Sequence, residues 1–176
     1  MQLFIKQFNE LSLDELYDIL AARADVFIME QNCVCFDPDG ADKEAYHVYY
    51  KEDGKIVAYL RVIDKGKRLD EVSIGRVICL KRRQGIGSAL MKEGLRVAKE
   101  KFGADKVKIG AQLYAKSFYE GVGFKQVSEQ YLEDDIPHIY MIAEVWKTEN
   151  LSKEGWVYFT EPFFYEKTID ERGKKW

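Results

Sequence analysis

The sequence predicts a single α/β domain, of the α+β kind, in which a mixed and mostly antiparallel sheet of about seven strands is flanked by helices. Apolar residues recur at every second position in some segments and at helical spacing in others, which gives the order β-α-β-β-β-α-β-α-β-β. Hairpins in this order require antiparallel pairs, whereas the βαβ units require crossovers. The chain has 176 residues, 47% of them hydrophobic, and is long enough for one domain with its own core.

The first two elements are a strand and a helix. Residues 3–8 alternate apolar and polar side chains, as a strand does. Ser12 and Glu15 have the spacing of a capping box, so a helix should begin there, and apolar residues at helical spacing extend it to about residue 31. Residues 33–42 are predicted to form a loop because they contain the turn sequence Asp-Pro-Asp-Gly.

Three strands should follow, each bounded by turn residues: 46–51, 55–63 and 72–80. Asp53-Gly54 separates the first two as a hairpin turn. In the third strand, Arg76 stands between Ile74 and Ile78 and, by simple alternation, on the same face as both. A buried arginine needs an acidic partner. The candidate partners all precede it in the chain: Glu30, Asp37, Asp39 and Asp42.

The second half of the chain begins with a long helix, predicted for residues 86–102. Ile86, Leu90 and Val97 share one face of it, and Gly103 is placed to end it. The remaining predicted elements are shorter: a strand at 107–110, a short helix at 114–121, and strands at 124–131 and 138–146.

Composition excludes several classes of protein. Twenty-seven basic and 30 acidic residues give a net charge of −3, without the basic excess of a general nucleic-acid binder, so no nucleic-acid partner is expected. Three cysteines and two histidines are too few for a disulfide framework or a multi-histidine centre, so no metal is expected. The N-terminus does not resemble a signal peptide, and no apolar run approaches the roughly 20 residues of a membrane span. These features indicate a cytoplasmic protein with no membrane partner.

The connection between the third strand of the group and the long helix has the spacing R-x-x-G-x-G, at residues 82–87. The amides of a helix's first turn have no intrahelical partners, and the helix dipole adds partial positive charge there. Glycines let a pyrophosphate approach the backbone, and Arg82 and Arg83 add charge beside it. The pattern is neither a Walker loop nor the dinucleotide fingerprint. The alternative is a turn with a solvated basic run.

A second pattern follows about 25 residues later. Its residues suggest a strand, a short helix and a further strand: Gly110-Ala111-Gln112, Ala115, Phe118-Tyr119-Glu120 and Gly123-Phe124. Together the two patterns resemble the GNAT N-acetyltransferase superfamily. The resemblance narrows to the ElaA-like branch and covers residues 1–146. The segments that carry it are Val26-Phe27, Glu30-Gln31-Asn32-Cys33, Asp37, Asp39-Gly40, Asp42, His47, Ile74-Gly75-Arg76-Val77, Gly110-Ala111-Gln112 and Ile136-Pro137-His138-Ile139.

The resemblance implies the GNAT acyl-CoA acyltransferase fold, acetyl-CoA as co-substrate, and transfer of the acetyl group to a primary amine of a small molecule or peptide. In the superfamily, a tyrosine at the position of Tyr119 often protonates the departing thiolate; the alternative for Tyr119 is a core aromatic. The residues that the resemblance assigns to coenzyme A are Val77, Ile78, Cys79, Arg82, Arg83, Gln84, Gly85, Ile86, Gly87, Ser88, Gln112 and Tyr119.

The group that accepts the amine's proton remains open between two candidates. Glu30 lies near the end of the first helix, and His47 has a side chain that titrates near neutral pH. Either could instead be structural, as a solvated glutamate or a hydrogen-bonded core histidine. The acidic loop at 133–138, which begins Glu-Asp-Asp, should line the acceptor side and suit a cationic amine, or be a solvated turn. The candidate substrate-binding residues are Glu30, His47, Arg76 and His138.

Residues 147–176 have no counterpart in the resemblance. They contain an aromatic block, Trp156 to Tyr165, which predicts an extension that packs on the domain or on a partner subunit. In the second case the extension would join two copies of the chain in a homodimer. Two other functions remain open: a catalytically silent acyl-CoA-binding module, and an interaction protein that uses this extension.

Overall fold

The computed structural model describes residues 1–31 and 36–145. Its strands are β1 (Gln2–Gln7), β2 (Ala45–Glu52), β3 (Lys55–Ile63), β4 (Val72–Cys79), β5 (Lys106–Gln112), β6 (Lys125–Gln126), β7 (Tyr131–Glu133) and β8 (Ile136–Glu144). Its helices are α1 (Leu13–Ala24), α2 (Ile86–Phe102) and α3 (Lys116–Glu120). The predicted extension at 147–176 lies outside the described residues.

Within this part of the chain the strands form one sheet of eight, in the order β1-β2-β3-β4-β5-β8-β6, with β7 also paired to β8. The pairing of β4 with β5 is parallel, and the other pairings are antiparallel. The predicted mixed, mostly antiparallel sheet is therefore confirmed. The strand predicted at 124–131 is instead divided into β6 and β7, which pair with successive parts of β8.

The start of α1 follows its capping box. The Ser12 hydroxyl accepts a hydrogen bond from the Glu15 amide (3.1 Å), and the Glu15 carboxylate accepts one from the Ser12 amide (2.9 Å). The regular helix ends at Ala24, earlier than predicted, and continues as a wider π turn in which the Gln31 amide donates to the Val26 carbonyl (3.1 Å). Such turns are rare and recur near functional sites.

The sheet has a core on each face. Helices α2 and α3 pack on one face, where the buried residues include Leu60, Ile74, Leu90, Leu95 and Val107. Helix α1 covers the other face, where the buried residues include Ile19, Tyr49, Ile56, Tyr59 and Ile78. Ile74 and Ile78 therefore lie on opposite faces, whereas simple alternation along the strand placed them on the same face.

A β-bulge in β4 explains this difference. Arg61 of β3 pairs with Gly75, and Tyr59 pairs with Ile78, so that two residues of β4 stand opposite one residue of β3. Arg76, in the bulge, has a positive φ of 53°, which is uncommon for a residue with a side chain. The bulge reverses the side-chain alternation in the second half of β4.

The bulge lies beside a gap in the sheet. Strands β4 and β5 pair only through Val72 with Val107 and Ser73 with Lys108. Beyond these pairs the two strands diverge, so their carboxyl-terminal halves are not hydrogen-bonded to each other. The cleft described next opens at this place.

Candidate active site

A cleft of about 730 Å³ opens where β4 and β5 diverge, a volume typical of small-molecule pockets. Gly75 of β4 and Gly110 of β5 line it, as does Tyr119 of α3. Acidic and basic side chains form one side, the charged wall: Asp37, Asp39, Arg61 and Arg76. The opposite side, the aromatic wall, comes from β7 and β8: Tyr131, Glu133, His138 and Tyr140.

The loop at 82–88 leads into the N-terminus of α2, as predicted. Gly85 is the N-cap, with a φ of 74° that favours glycine, and no side chain caps the helix. The first turn contains no acidic residue. The amides at this end are therefore available to an anion, and their partial positive charge is not offset by a carboxylate on the helix.

Arg82 forms an ion pair with Glu30. Both side chains are largely exposed, 64% for Arg82 and 48% for Glu30. Glu30 therefore lies beside the loop that precedes α2, and it is not among the residues that line the cleft. The structure does not bring this candidate base to the divergence of β4 and β5.

The end of β4 presents its backbone rather than its side chains. Val77 lines the cleft, but the Ile78 side chain is only 2% exposed and packs in the core. The Cys79 thiol donates to the Lys81 carbonyl (3.3 Å), and burial raises the pKa of this thiol. Any contact of Ile78 with coenzyme A would therefore be made through main-chain atoms.

Gln112 connects β5 to the end of the π turn. Its amide nitrogen donates to the Gln31 side-chain oxygen (3.0 Å), and the Gln31 amide nitrogen donates to the Tyr114 hydroxyl (3.4 Å). All three side chains line the cleft. The side chain of Gln112 is thus held at the cleft by Gln31, which comes from the π turn that follows α1.

Tyr119 lines the cleft from α3. Its ring packs edge-on against Phe118 and Phe124, with centroid distances of 5.0 and 6.0 Å. Burial raises the pKa of the Tyr119 phenol, with a smaller contribution from Tyr114. The hydroxyl therefore keeps its proton at neutral pH.

Arg76 has the acidic partners that its place in the sequence required. Its guanidinium donates to Asp37 (2.7 Å) and, at a longer 3.4 Å, to Asp39. Two further arginines join these aspartates in one network, the arginine–aspartate cluster: Arg23, Arg61, Arg76, Asp37, Asp39 and Asp42. Glu30, another candidate partner, pairs with Arg82 instead.

Asp42 lies at the centre of this cluster. One of its oxygens accepts hydrogen bonds from both Arg23 and Arg61, each 2.8 Å long. Burial alone would raise the pKa of Asp42, but the two guanidinium groups hold the pKa below its ordinary value. Burial is likewise outweighed at Asp39, whose pKa is lowered by Arg61 and Arg76. Both carboxylates therefore remain ionised at neutral pH.

His47 is fully buried beneath the arginine–aspartate cluster and does not line the cleft. Its Nε2–H donates to the Asp42 carbonyl oxygen (3.0 Å), so its Nδ1 accepts from the Tyr59 hydroxyl (2.8 Å). Burial lowers the pKa of the imidazole. The structure places this candidate base and substrate ligand in the interior instead, because β2 directs it under the turn at 41–44.

The aromatic wall is a stack of rings. Tyr131 stacks on His138 and on Tyr140, with centroid distances of 5.8 and 4.7 Å. The Tyr131 hydroxyl approaches Gly110 so closely that a Cβ there would lie 2.9 Å from its oxygen. His138 is 9% exposed, and its Nδ1 is 2.8 Å from the Ile136 carbonyl oxygen. Gly110 therefore makes room for the ring that supports His138.

Sequence reasoning missed three residues of this site. Arg23 and Arg61 complete the arginine–aspartate cluster, and each stands in an otherwise apolar segment, where a charge should have suggested a buried ion pair. Arg68 links the two walls through Asp39 (2.9 Å) and Glu133 (3.3 Å). No local pattern identifies Arg68, since it lies in a loop.

Two features of residues 1–31 and 36–145 bear on partners. No helix there is long and apolar enough to cross a membrane. No group of three or more histidine, cysteine, aspartate or glutamate side chains in the same residues could hold a metal ion.

Comparison with known proteins places the chain in a family. The model of the acetyltransferase (GNAT) domain matches residues 26–145. A UPF0039 protein of Schizosaccharomyces pombe is 38% identical over 82% of this chain and 98% of its own length, and the ElaA protein of Escherichia coli is 38% identical over 78% and 92%. The crystal structure of an acyl-CoA N-acyltransferase from Pseudomonas aeruginosa has a TM-score of 0.75 and 36% identity, over 81% of this chain and 99% of that one. The chain therefore belongs to the GNAT acetyltransferase family, in its ElaA-like branch.

Proposed function

We propose that the protein transfers an acetyl group from acetyl-CoA to a primary amine, by direct attack of the amine on the thioester. The observation that carries this proposal is a cleft between diverging strands that Tyr119 lines, with the uncapped N-terminus of α2 following directly after β4. At that end of α2, Gly87 lies close to Cys79 of β4 and Phe118 of α3. The similarity to an acyl-CoA N-acyltransferase supports the same reaction class.

The acyl donor would bind along β4. Its pyrophosphate suits the loop at 82–88. The backbone amides at the start of α2 offer hydrogen bonds there, and Arg82 and Arg83 add positive charge. The backbone at Val77, just past the bulge, is not paired with β5 and can hydrogen-bond the pantetheine arm or the thioester oxygen. Gln112 would contact the donor from β5.

Tyr119 would act as the general acid. The tetrahedral intermediate expels a thiolate, which must take up a proton. The Tyr119 hydroxyl keeps its proton at neutral pH because burial raises its pKa, and it has no hydrogen-bond partner among the described residues that would compete for that proton. These properties fit a proton donor to a thiolate.

The acceptor would enter between the two walls. Glu133 and Asp134 line this part of the cleft and suit a cationic amine. Arg76 and His138 also line it and remain proposed substrate contacts, whereas Glu30 and His47 do not line it and are not proposed further. A cytoplasmic location and a homodimer through residues 147–176 remain predictions.

The test of the reaction is an acetyl-CoA turnover screen over polyamines, amino acids, aminoglycosides and lysine peptides. Release of coenzyme A that depends on one amine class, with the acetylated amine identified by mass spectrometry, would support the proposal. Binding of acetyl-CoA without turnover of any amine would support the silent binding module instead.

The test of the donor site is Gly85→Val, compared with Gly103→Val. Both glycines have positive φ, 74° and 63°, and they flank the two ends of α2, so the two changes impose similar backbone strain. Gly85→Val should weaken coenzyme A binding by about tenfold or more, because strain of roughly 1–3 kcal/mol distorts the loop. Gly103→Val should leave the affinity unchanged. Equal affinities by calorimetry, in two folded variants, would remove the loop from the proposed site.

A further inference from the structure

His138 has one ring nitrogen committed to the backbone and the other uncommitted. Its Nδ1 lies 2.8 Å from the Ile136 carbonyl oxygen, which can only accept a hydrogen bond. Nδ1 therefore carries the ring proton, and Nε2 keeps its lone pair. Nε2 has no hydrogen-bond partner among the described residues, and the side chain lines the cleft.

The orientation of this ring is fixed from two directions. The hydrogen bond to Ile136 sets its rotation, and stacking on Tyr131 at 5.8 Å supports its face. Tyr131 is itself stacked on Tyr140 and lies against Gly110. A basic nitrogen is thus presented to the cleft on a rigid support, as general-base catalysis requires.

The other histidine of the chain provides a contrast. His47 is the Nε2–H tautomer, with both nitrogens satisfied by Asp42 and Tyr59, and it is fully buried. His138 is the Nδ1–H tautomer, with one nitrogen free at the cleft. The two histidines of the sequence therefore have opposite tautomers, and only His138 is placed to exchange a proton with a bound amine.

We infer that His138 is the general base of the reaction, an inference that rests on the proposed acetyl transfer. The bound ammonium gives a proton to His138 Nε2, the lone pair that this frees forms the C–N bond with the thioester carbonyl, and the second proton leaves the nitrogen to solvent as the amide forms. The electrons of the C–S bond leave on sulfur, which takes the proton of the Tyr119 hydroxyl. The imidazolium of His138 and the phenolate of Tyr119 return to neutral by proton exchange with solvent.

A spectroscopic test needs no turnover. Long-range ¹⁵N–¹H correlation spectra of the full chain at neutral pH should show one histidine in each neutral tautomer, because the sequence has only two. His47→Gln assigns the remaining signals to His138. The Nδ1–H tautomer at His138 supports the inference, and an Nε2–H tautomer overturns it, since Nε2 could not then accept a proton.

A kinetic test uses His138→Gln and His138→Phe, with the best amine from the turnover screen. The phenylalanine keeps an aromatic ring to stack on Tyr131 but has no nitrogen. Both variants should lower kcat by about 10²-fold or more, with little change in KM for the amine or in affinity for coenzyme A. Wild-type kcat in either variant, or a rise in KM alone, would overturn the inference while leaving acetyl transfer in place. Absence of turnover by the wild-type protein would instead refute the proposed function, and the role of His138 with it.

Discussion

The two walls of the cleft use polar side chains in opposite ways. In the charged wall, Asp37 and Asp39 each accept hydrogen bonds from at least two arginines. In the aromatic wall, His138 has a nitrogen without a partner in the described residues. Paired charges resist both titration and movement, whereas an unshared lone pair is free to react. The comparison supports the proposal that the first wall positions the backbone and that the second exchanges protons with the substrate.

The positioning role of the charged wall can be traced to one residue. Arg76 has a φ of 53°, a conformation that costs of order 1–3 kcal/mol and persists only where neighbouring contacts impose it. Its guanidinium is held by the Asp37 carboxylate and by the Asp37 carbonyl oxygen (3.1 Å). These contacts stabilise the bulge, and the bulge sets the direction of the backbone at Val77. The cluster thus acts on the cleft through the course of β4.

The largest expected effect comes from removing one charge from this cluster. Asp42→Asn leaves Arg23 and Arg61, which are almost fully buried, without the carboxylate they share. Breaking a buried ion pair on one side typically costs about 3–5 kcal/mol, and we expect a loss of this size in the free energy of unfolding, measured by urea denaturation.

The matched control for that change is Glu44→Gln. Glu44 pairs with Lys67, and both side chains are more than half exposed. An exposed pair contributes about 0–1 kcal/mol, so this variant should unfold almost as the wild type does. If the two variants lost similar stability, the buried cluster would not have the structural role assigned to it.

Local patterns in the sequence sufficed for helix α2 and for the hairpin of β2 and β3. Helix α2 was predicted at its observed bounds, because its apolar stripe, its N-terminal loop and Gly103 all lie within one short stretch. The hairpin of β2 and β3 followed in the same way from Asp53-Gly54. Both depend on interactions between residues that are close in the chain, which short sequence windows record.

Features of the cleft and of the interior beneath it were harder to predict because they depend on distant residues. Whether His47 is a base or a core residue is decided by Asp42 and Tyr59, which the fold brings to it. The bulge at Arg76 was missed because alternation assumes one residue opposite another along the whole strand. The role of Arg68 depends on Asp39 and Glu133, 29 and 65 positions away.

The next largest effect concerns rate rather than stability. Tyr119→Phe removes only the hydroxyl proposed to protonate the thiolate, so kcat should fall by about 10²–10⁴-fold with little change in coenzyme A affinity or in the unfolding midpoint. Tyr17→Phe is the control for loss of a tyrosine hydroxyl, because Tyr17 lies on α1, is 75% exposed and does not line the cleft. If steady-state kinetics gave equal rates for the two variants and the wild type, Tyr119 would serve only in packing.

The smallest effect is a pH dependence of stability, and it concerns His47 in the interior beneath the charged wall. Burial lowers the pKa of His47 in the folded protein, so an unfolded chain, with an ordinary histidine pKa of about 6.5, binds a proton that the folded chain does not. The unfolded state is then favoured as the pH falls below about 6.5, by up to about 1.4 kcal/mol per pH unit until the folded pKa is reached. His47→Gln keeps a donor for the Asp42 carbonyl and an acceptor for the Tyr59 hydroxyl but cannot titrate, so its free energy of unfolding should fall less between pH 7 and pH 5 than that of the wild type.

The aspartates of the cluster do not obscure this difference, because the lowered pKa values of Asp39 and Asp42 confine their loss of stabilisation to pH values below about 4. Urea denaturation at intervals across this range measures both curves. Parallel curves would mean that His47 exchanges its proton as freely as an exposed histidine, and the interior beneath the charged wall would then no longer be held apart from proton chemistry.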